Sequence, residues 1–331
     1  MAEGGLTILD GALLREADLS LPSQPPATVI TAAEVLKLAE TRASLSLYGV
    51  VLPEALKSSA LRRLGFPDAA AFRAKELDFS DAPSIFLKYI SALADELKDD
   101  PVVVAILNGS TIQIFLEDED DFAMMAENLF TELDTEDRGK ICRDEIKSAL
   151  VHMGVESGVP PMSEFAELSD ILKKHGAEGK EELGQAQFAE LLQSVLQELA
   201  DTLAKNPVVI VQPIKVVNGS KLRQLMVNEK LLEDVVKKIN SESKIEESST
   251  TKIRNFLEKH GFEIGLPPSE LDEVAILLDA VFTEVDSQND AAELEKDGFV
   301  VLLKKILEKL AEKLETNPIF YDLQFLESKD V

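Results

Sequence analysis

Asp134, Glu136, Lys140 and Glu145 stand at positions 1, 3, 7 and 12 of a twelve-residue polar run, DTEDRGKICRDE. Side-chain oxygens at positions 1, 3, 5 and 12, a main-chain carbonyl at 7 and Gly at 6 for the sharp turn make up the ligand order of a calcium loop. The carboxylate at position 12 can bind through both oxygens. Gly139 fills position 6, and Lys140 offers its carbonyl at 7. Two positions depart. Arg138 puts a cation at position 5, where an oxygen is expected, and Cys142 sits at 9, where water or a side-chain oxygen usually serves. Glu136 is also one methylene longer than the usual Asp. A loop that loses an anionic ligand and gains a cation should bind calcium weakly, at ~10⁻⁵ M or above. The alternative is a loop that keeps its shape without metal.

The flanking residues supply elements to position this loop. Phe122, Met125, Ala126, Leu129, Phe130 and Leu133 recur at steps of three and four, which predicts one apolar face of a helix. After the loop, Ile146, Ala149, Leu150 and Met153 form a second stripe, and Gly154 follows as a C-terminal cap. Helix, twelve-residue loop and helix is the spacing of an EF-hand motif. Ile141, at position 8, is the apolar residue that would bridge to a neighbouring loop.

Composition narrows the function classes. The chain has 331 residues, 45% of them apolar, which is enough for more than one core. Its 34 basic and 61 acidic side chains give a net charge of −27. That balance argues against nucleic acid, whose phosphates reward clustered Lys and Arg, and against anionic membrane surfaces. Cys142 is the only cysteine, so no intrachain disulfide forms and a reducing compartment is expected. The start MAEGGLTILDG has neither the basic nor the long apolar segment of a signal peptide, and apolar runs such as 101–107 are too short to cross a bilayer. A cytoplasmic or nuclear location, or both, is expected. His152, His175 and His260 lie near predicted helix ends with no partner set in sequence, and no phosphate loop or nucleophile motif is present. The chain is therefore read as no enzyme.

Three landmarks recur along it. Asp10-Gly11, Asn108-Gly109 and Asn218-Gly219 each follow an apolar pair and read as two-residue hairpin turns. Pro101, Pro207 and Pro318 each follow a predicted helix. Leu77, Leu183 and Leu294 precede those prolines at a constant distance and fall where position 8 of a second loop should lie. Repetition at this period predicts stacked similar units. The fold class expected is mainly α: three tandem EF-hand-like pairs, each with short β-hairpin segments, over 1–105, 106–215 and 216–331. Ile141 and Leu183 would form the bridge of the central pair. The other loops have lost their ligands. ASLSLYGVVLPEA (43–55) is apolar, and GAEGKEELGQAQ ends in Gln187. Asn240-Ser-Glu-Ser-Lys lacks Gly, while Asp286, Gln288 and Asp290 need an extra residue to reach Asp297.

The stretch AILNGSTIQIFLEDEDDFAMMAENLFTELD, with GKICRDEI, GVPPMSEF and LADTLAKNPVVI after it, resembles a plant family of EF-hand calcium sensors. Members carry a short β-segment with a (D/N)GST turn, an acidic run, paired hands and a helix closing in L-A-x-x-L-x-x-x-P. The three-unit layout is similar to the sensors that bind sucrose-non-fermenting-related protein kinases of osmotic-stress and abscisic-acid signalling, and the likeness spans nearly the whole chain. It implies Ca2+ at one main site, with Asp134, Glu136, Lys140 (backbone) and Glu145 as ligands, and a Ser/Thr protein kinase as the partner inhibited. Arg138 and Cys142 depart from the family's better loops. Four of the six methionines (Met124, Met125, Met153 and Met162) fall in the central unit and suit either an adaptable groove or an ordinary core. The competing expectation is a calcium-independent adaptor whose degenerate pairs form a fixed surface.

Overall fold

The glycines of the three Asx-Gly pairs all adopt left-handed backbone, at φ 82°, 81° and 79°, and each starts a helix. In the computed structural model, which describes residues 6–17, 29–78, 80–243, 247–286 and 296–323, the chain repeats a strand–glycine–helix opening three times. The first passage runs β1 (Leu6–Leu9), α1 (Ala12–Glu16), β2 (Val29–Thr31), α2 (Ala32–Ser46), α3 (Glu54–Arg63), α4 (Ala69–Arg73), β3 (Glu76–Asp78) and α5 (Ala82–Asp99). The second runs β4 (Val102–Leu107), α6 (Ser110–Glu117), α7 (Glu119–Leu133), β5 (Ile141–Cys142), α8 (Glu145–Met153), a 3-10 turn (Val155–Ser157), α9 (Glu167–Lys174), β6 (Glu182–Leu183), α10 (Gln185–Lys205) and β7 (Val208–Val211). The third runs β8 (Ile214–Val217), α11 (Ser220–Val227), α12 (Glu229–Glu242), α13 (Ser249–His260), a 3-10 turn (Gly261–Ile264), α14 (Asp272–Asp286), α15 (Lys296–Thr316) and β9 (Ile319–Asp322). The protein is mainly helical with small sheets. No helix among the described residues is long and apolar enough to cross a membrane.

The Asx-Gly pairs are therefore not hairpin turns. Each Asx side chain accepts from the backbone two residues on: Asp10 from Ala12 N at 3.0 Å, Asn108 from Ser110 N at 3.1 Å and Asn218 from Ser220 N at 3.1 Å. The glycines then press against a later helix. A Cβ on Gly11, Gly109 or Gly219 would stand 2.3, 2.3 or 2.6 Å from the carbonyl oxygen of Ala94, Ala200 or Ala311, so only Gly fits. Those alanines are the Ala of the L-A-x-x-L-x-x-x-P repeat, and the prolines immediately precede the returning strands β4, β7 and β9. The strands beside the Asx-Gly turns thus pair over long separations rather than as hairpins. β4 pairs antiparallel with β7 (Val104 with Val211, Leu107 with Val208), and β8 pairs antiparallel with β9. β1 completes a sheet of order β1-β4-β7.

The chain divides into two compact units: Met1–Ile8, Tyr48–Val50 and Val103–Gln212 in one, and Leu9–Leu47, Val51–Val102 and Pro213–Val331 in the other. The sequence boundaries at 105/106 and 215/216 fall inside β4 and β8. In the first unit, Phe130, Ile146, Leu168 and Phe188 are among the buried residues that join the faces of α7 to α10. In the second, Ile253, Val281, Leu303 and Leu310 belong to the core of α11 to α15.

One loop of the first passage lies elsewhere than expected. Leu77 does pair across a two-strand ladder, but its partner is Ile30, not a residue of 43–55. The latter segment ends α2, and Leu47, Val50 and Leu52 are buried in packing. Thr31 and Glu34 form a reciprocal capping box that begins α2 directly after the ladder. Of the third passage, Lys244, Gln288, Asp290 and Leu294, and the side chains of Asp286 and Asp297, lie outside the described residues.

Candidate functional site

Helix α7 delivers Asp134. Its N-terminus is capped by Asp118, whose carboxylate accepts from Asp120 N and Asp121 N, and Glu119, Asp120 and Asp121 fill the first turn, where they complement the helix dipole. The apolar stripe ends at Leu133, and the backbone leaves the helix at Asp134 (φ −82°, ψ 60°). Asp137 (φ 50°) and Gly139 (φ 69°) then bend the chain in the left-handed region. This curl turns two successive N–H groups inward, a concavity suited to an anion. Asp134 fills it: Oδ1 accepts from Arg138 N at 3.0 Å and Oδ2 from Gly139 N at 2.6 Å.

The far side of the loop is fixed by backbone pairing. The two-residue ladder of β5 and β6 sets Ile141 opposite Leu183, the bridge expected from the repeat, and both side chains are buried. Arg143 N donates to Glu181 O at 2.8 Å and Asp144 N to Gly179 O at 3.2 Å, extending the join between the two loops. Helix α8 begins at Glu145 and stops at Gly154 (φ 61°), whose N–H donates to Leu150 O. Asp134 and Glu145 are half-buried, while Glu136 and Lys140 are exposed.

Side chains at the rim make a second set of contacts that sequence reading missed. Arg138 Nε lies 3.1 Å from Glu136 Oε2, and its guanidinium is 3.7 Å from Glu182. Lys140 Nζ is 3.5 Å from Glu182, and Arg143 is 3.0 Å from Glu181. Every cation of the 134–145 loop therefore faces a carboxylate, most of them on the neighbouring loop. The signal was the Glu181-Glu182 pair immediately before Leu183, read only as absent ligands. Gln187 has a structural task as well, since its Oε1 accepts from Gly184 N at 3.1 Å and caps α10.

The expected ligands share one loop, but Asp134, Glu136 and Glu145 do not converge: among the described residues no group of three or more His, Cys, Asp or Glu side chains is placed to hold a metal ion. By chemistry the donor set still fits a hard cation, with three carboxylates and one carbonyl in the right order on a loop that curls as such a site needs. What competes is Arg138, whose guanidinium already neutralises Glu136.

Each of the three histidines faces a carboxylate. His175 Nε2 is 2.6 Å from Glu198 Oε2, and Lys174 is 2.6 Å from Oε1. Those two hydrogen bonds, from Lys174 first and then His175, hold the Glu198 carboxyl below its ordinary range. His260 sits between Glu242 and Glu263, at 2.9 and 2.8 Å. His152 lies 3.6 Å from Glu132. Cys142 is a half-buried free thiol in β5. Of the central methionines, Met153 is buried, Met125 and Met162 are half-buried against the core, and Met124 is 61% exposed. No protein-family model, no curated protein and no solved structure matches this chain.

Proposed function

We propose that this chain is a regulatory binding protein whose 134–145 loop is a weak calcium site. In this reading it inhibits a stress-signalling Ser/Thr protein kinase of the sucrose-non-fermenting-related class, in the cytoplasm, the nucleus or both. It acts by association and not by catalysis. The observation that carries the reading is the joined loop pair. A twelve-residue loop curls around the Asp134 carboxylate between two amphipathic helices and is bridged to a second loop through Ile141 and Leu183. A paired EF-hand would join its loops in this way, and the repeated strand–glycine–helix opening supports a reading as three related units. Asp134, Glu136, the Lys140 carbonyl and Glu145 would hold the ion, and Ca2+ would supply the charge that Arg138 now supplies to Glu136. The kinase class rests on the sequence resemblance alone. Calcium alters inhibition only through different affinities of the bound and free forms for the kinase, a coupling typically of ~1–3 kcal/mol.

A calcium-independent adaptor is the second reading. The Arg138–Glu136 pair favours it, because a loop that carries its own cation can stay joined to its neighbour without metal. Titration calorimetry with calcium, and inhibition of the kinase by wild-type and Glu145→Gln protein with calcium or chelator, separate the two. A sensor binds calcium, and its calcium-dependent inhibition is lost in Glu145→Gln. Equal inhibition by both proteins in chelator selects the adaptor, and no kinase binding under any condition removes both.

A further inference from the structure

Gly219 opens α11 beside a cavity of about 490 Å³ in the second compact unit. Strands β8 and β9, the start of α11, the residues around the turn at Gly261–Ile264 and the end of α5 surround it. Asn218 Nδ2 donates to Lys98 O at 2.8 Å and ties the start of α11 to that end of α5.

The charges on the cavity wall are unequally answered. Asp99 pairs with Arg63 at 2.6 Å, Asp100 with Lys215 at 2.5 Å and Glu263 with Lys238 at 2.7 Å. Two donors have no such answer. Among the described residues Lys221 has no ion pair and the Tyr321 hydroxyl no hydrogen bond, although Tyr321 is only 8% exposed. Burial, and then the charge of Asp100, push that phenol up, so it keeps its proton and remains a donor. Asn218 Oδ1 takes Ser220 N, and the N–H groups that follow leave partial positive charge at the start of α11.

The same framework carries neither lysine nor tyrosine at these places in the other two passages. Counted from the opening glycine, Lys215 and Lys221 replace Ala105 and Thr111 of the second passage, and Thr7 and Leu13 of the first. Counted from the proline before the returning strand, Tyr321 replaces Ile210 and Val104. The backbone bears out the correspondence. A Cβ on Gly158 would stand 3.1 Å from Thr111 Cβ, and one on Gly265 would stand 2.5 Å from Lys221 Cβ. One scaffold is thus fitted with polar donors in its third copy only.

We propose that this cavity binds a small organic monocarboxylate. The carboxylate would take the Tyr321 O–H and the Lys221 ammonium at the N-terminus of α11, and the carbon skeleton would lie on Phe262, Leu266 and Leu323. Hydrogen bonds to a charged acceptor are the strong ones, and a helix N-terminus favours negative charge. The volume suits a small molecule, since ligand cavities run from roughly 300 to 1,000 Å³. With three carboxylates on the wall, a phosphate dianion meets more repulsion than a single carboxylate does. The site uses no residue of the 134–145 loop and goes beyond the function proposed for it.

The test is calorimetry of the full chain with phenylbutyrate and octanoate, with phenylbutanol and inorganic phosphate as controls. Both carboxylates should bind, and the alcohol and phosphate should bind at least fivefold more weakly. Tyr321→Phe removes one oxygen and keeps the ring, and it should weaken both carboxylates at least fivefold. Lys221→Met keeps an unbranched stem over Gly265 and should do the same. Lys230→Met, at an exposed lysine of α12 outside the cavity, should change nothing. Helix circular dichroism checks that each variant folds, and amide shifts on adding phenylbutyrate should cluster at 215–221 and 261–266. Equal affinity for the alcohol, phosphate bound as tightly as the carboxylates, undiminished binding in either cavity variant, or no binding of either carboxylate would each overturn the proposal.

Discussion

Replacing Gly109 by alanine puts a methyl group where the backbone of α10 already lies. The added Cβ would stand 2.3 Å from the Ala200 carbonyl oxygen, 2.9 Å from its carbonyl carbon and 3.0 Å from its Cα, against about 3.5–4.0 Å for an ordinary contact between carbon atoms. Two costs add. The left-handed backbone, at φ 81°, costs a non-glycine residue about 1–2 kcal/mol. Relieving the overlap means moving the β4–α6 turn away from a helix whose Leu196, Leu199, Ala200 and Leu203 are fully buried, and such overpacking costs about 1–3 kcal/mol. Gly109→Ala should therefore lose about 2–5 kcal/mol. Gly139→Ala is the matched control: its φ is 69°, but nothing lies within 4 Å of the new Cβ, so only the first cost applies. Urea unfolding followed by circular dichroism gives the two losses, and amide exchange should place that of Gly109→Ala in 103–212. Ala200→Gly should not rescue it, because the clash is with backbone. Equal losses for the two variants would refute the close approach as the reason for the repeated glycine.

Arg138→Asp exchanges a cation for an oxygen ligand at position 5 and releases Glu136, so calorimetry should show calcium binding tightened at least tenfold, roughly 1.4 kcal/mol. Unchanged affinity would place position 5 outside the coordination shell. Gln187→Ala removes the side chain that accepts from Gly184 N and should cost about 0.5–2 kcal/mol of stability with no change in calcium affinity. Hydrogen bonds from Lys309 and then Lys313 hold the Glu284 carboxyl at about 2, below its ordinary 4.5. A carboxyl depressed in the folded state stabilises fully above the unfolded value, and that contribution is lost as pH falls from about 4.5 towards about 2. In Glu284→Gln this part of the acid sensitivity should disappear from a titration followed by helix circular dichroism. An acid profile identical to wild type would show that the two lysines do not depress this carboxyl.

The helices around the central loop and the Ile141–Leu183 bridge were legible because both depend on local pattern. An apolar stripe at steps of three and four fixes a helix face, and a single apolar residue in a polar loop has one place to be buried. The Asx-Gly turns were misread because Asn-Gly serves two turns equally well. Its left-handed glycine can close a hairpin or start a helix, and here the Ala94, Ala200 and Ala311 backbones, each remote in sequence, decide between them. The partner of Leu77 was missed for a different reason. Ile30 sits in a short β-branched run, Thr28-Val29-Ile30-Thr31, and the capping signal Thr31-Ala-Ala-Glu34 beside it belongs to none of the three repeated landmarks. The ion pairs across the central loops leave no periodic trace and become visible only once β5 and β6 are joined.

Those ion pairs would set how the central loops respond to calcium if the proposed site is real. Exposed pairs of this kind contribute ~0–1 kcal/mol each and weaken with salt. At 56% and 72% side-chain exposure, Arg138 and Glu136 belong to that class. They do not hold the unit together. That work falls to the buried Ile141–Leu183 bridge and to the Phe130 and Phe188 rings of the same core, whose centroids lie 5.7 Å apart. In the proposed reading the loop would exchange Arg138 for a calcium ion at little cost to the fold, because its shape rests on the Asp134 carboxylate and on backbone pairing. A buried guanidinium in the same position would have made the exchange cost several kcal/mol and locked the loop. If the loop takes calcium as proposed, the exposure of Arg138 would keep it responsive, and the charge of Arg138 would keep the response weak.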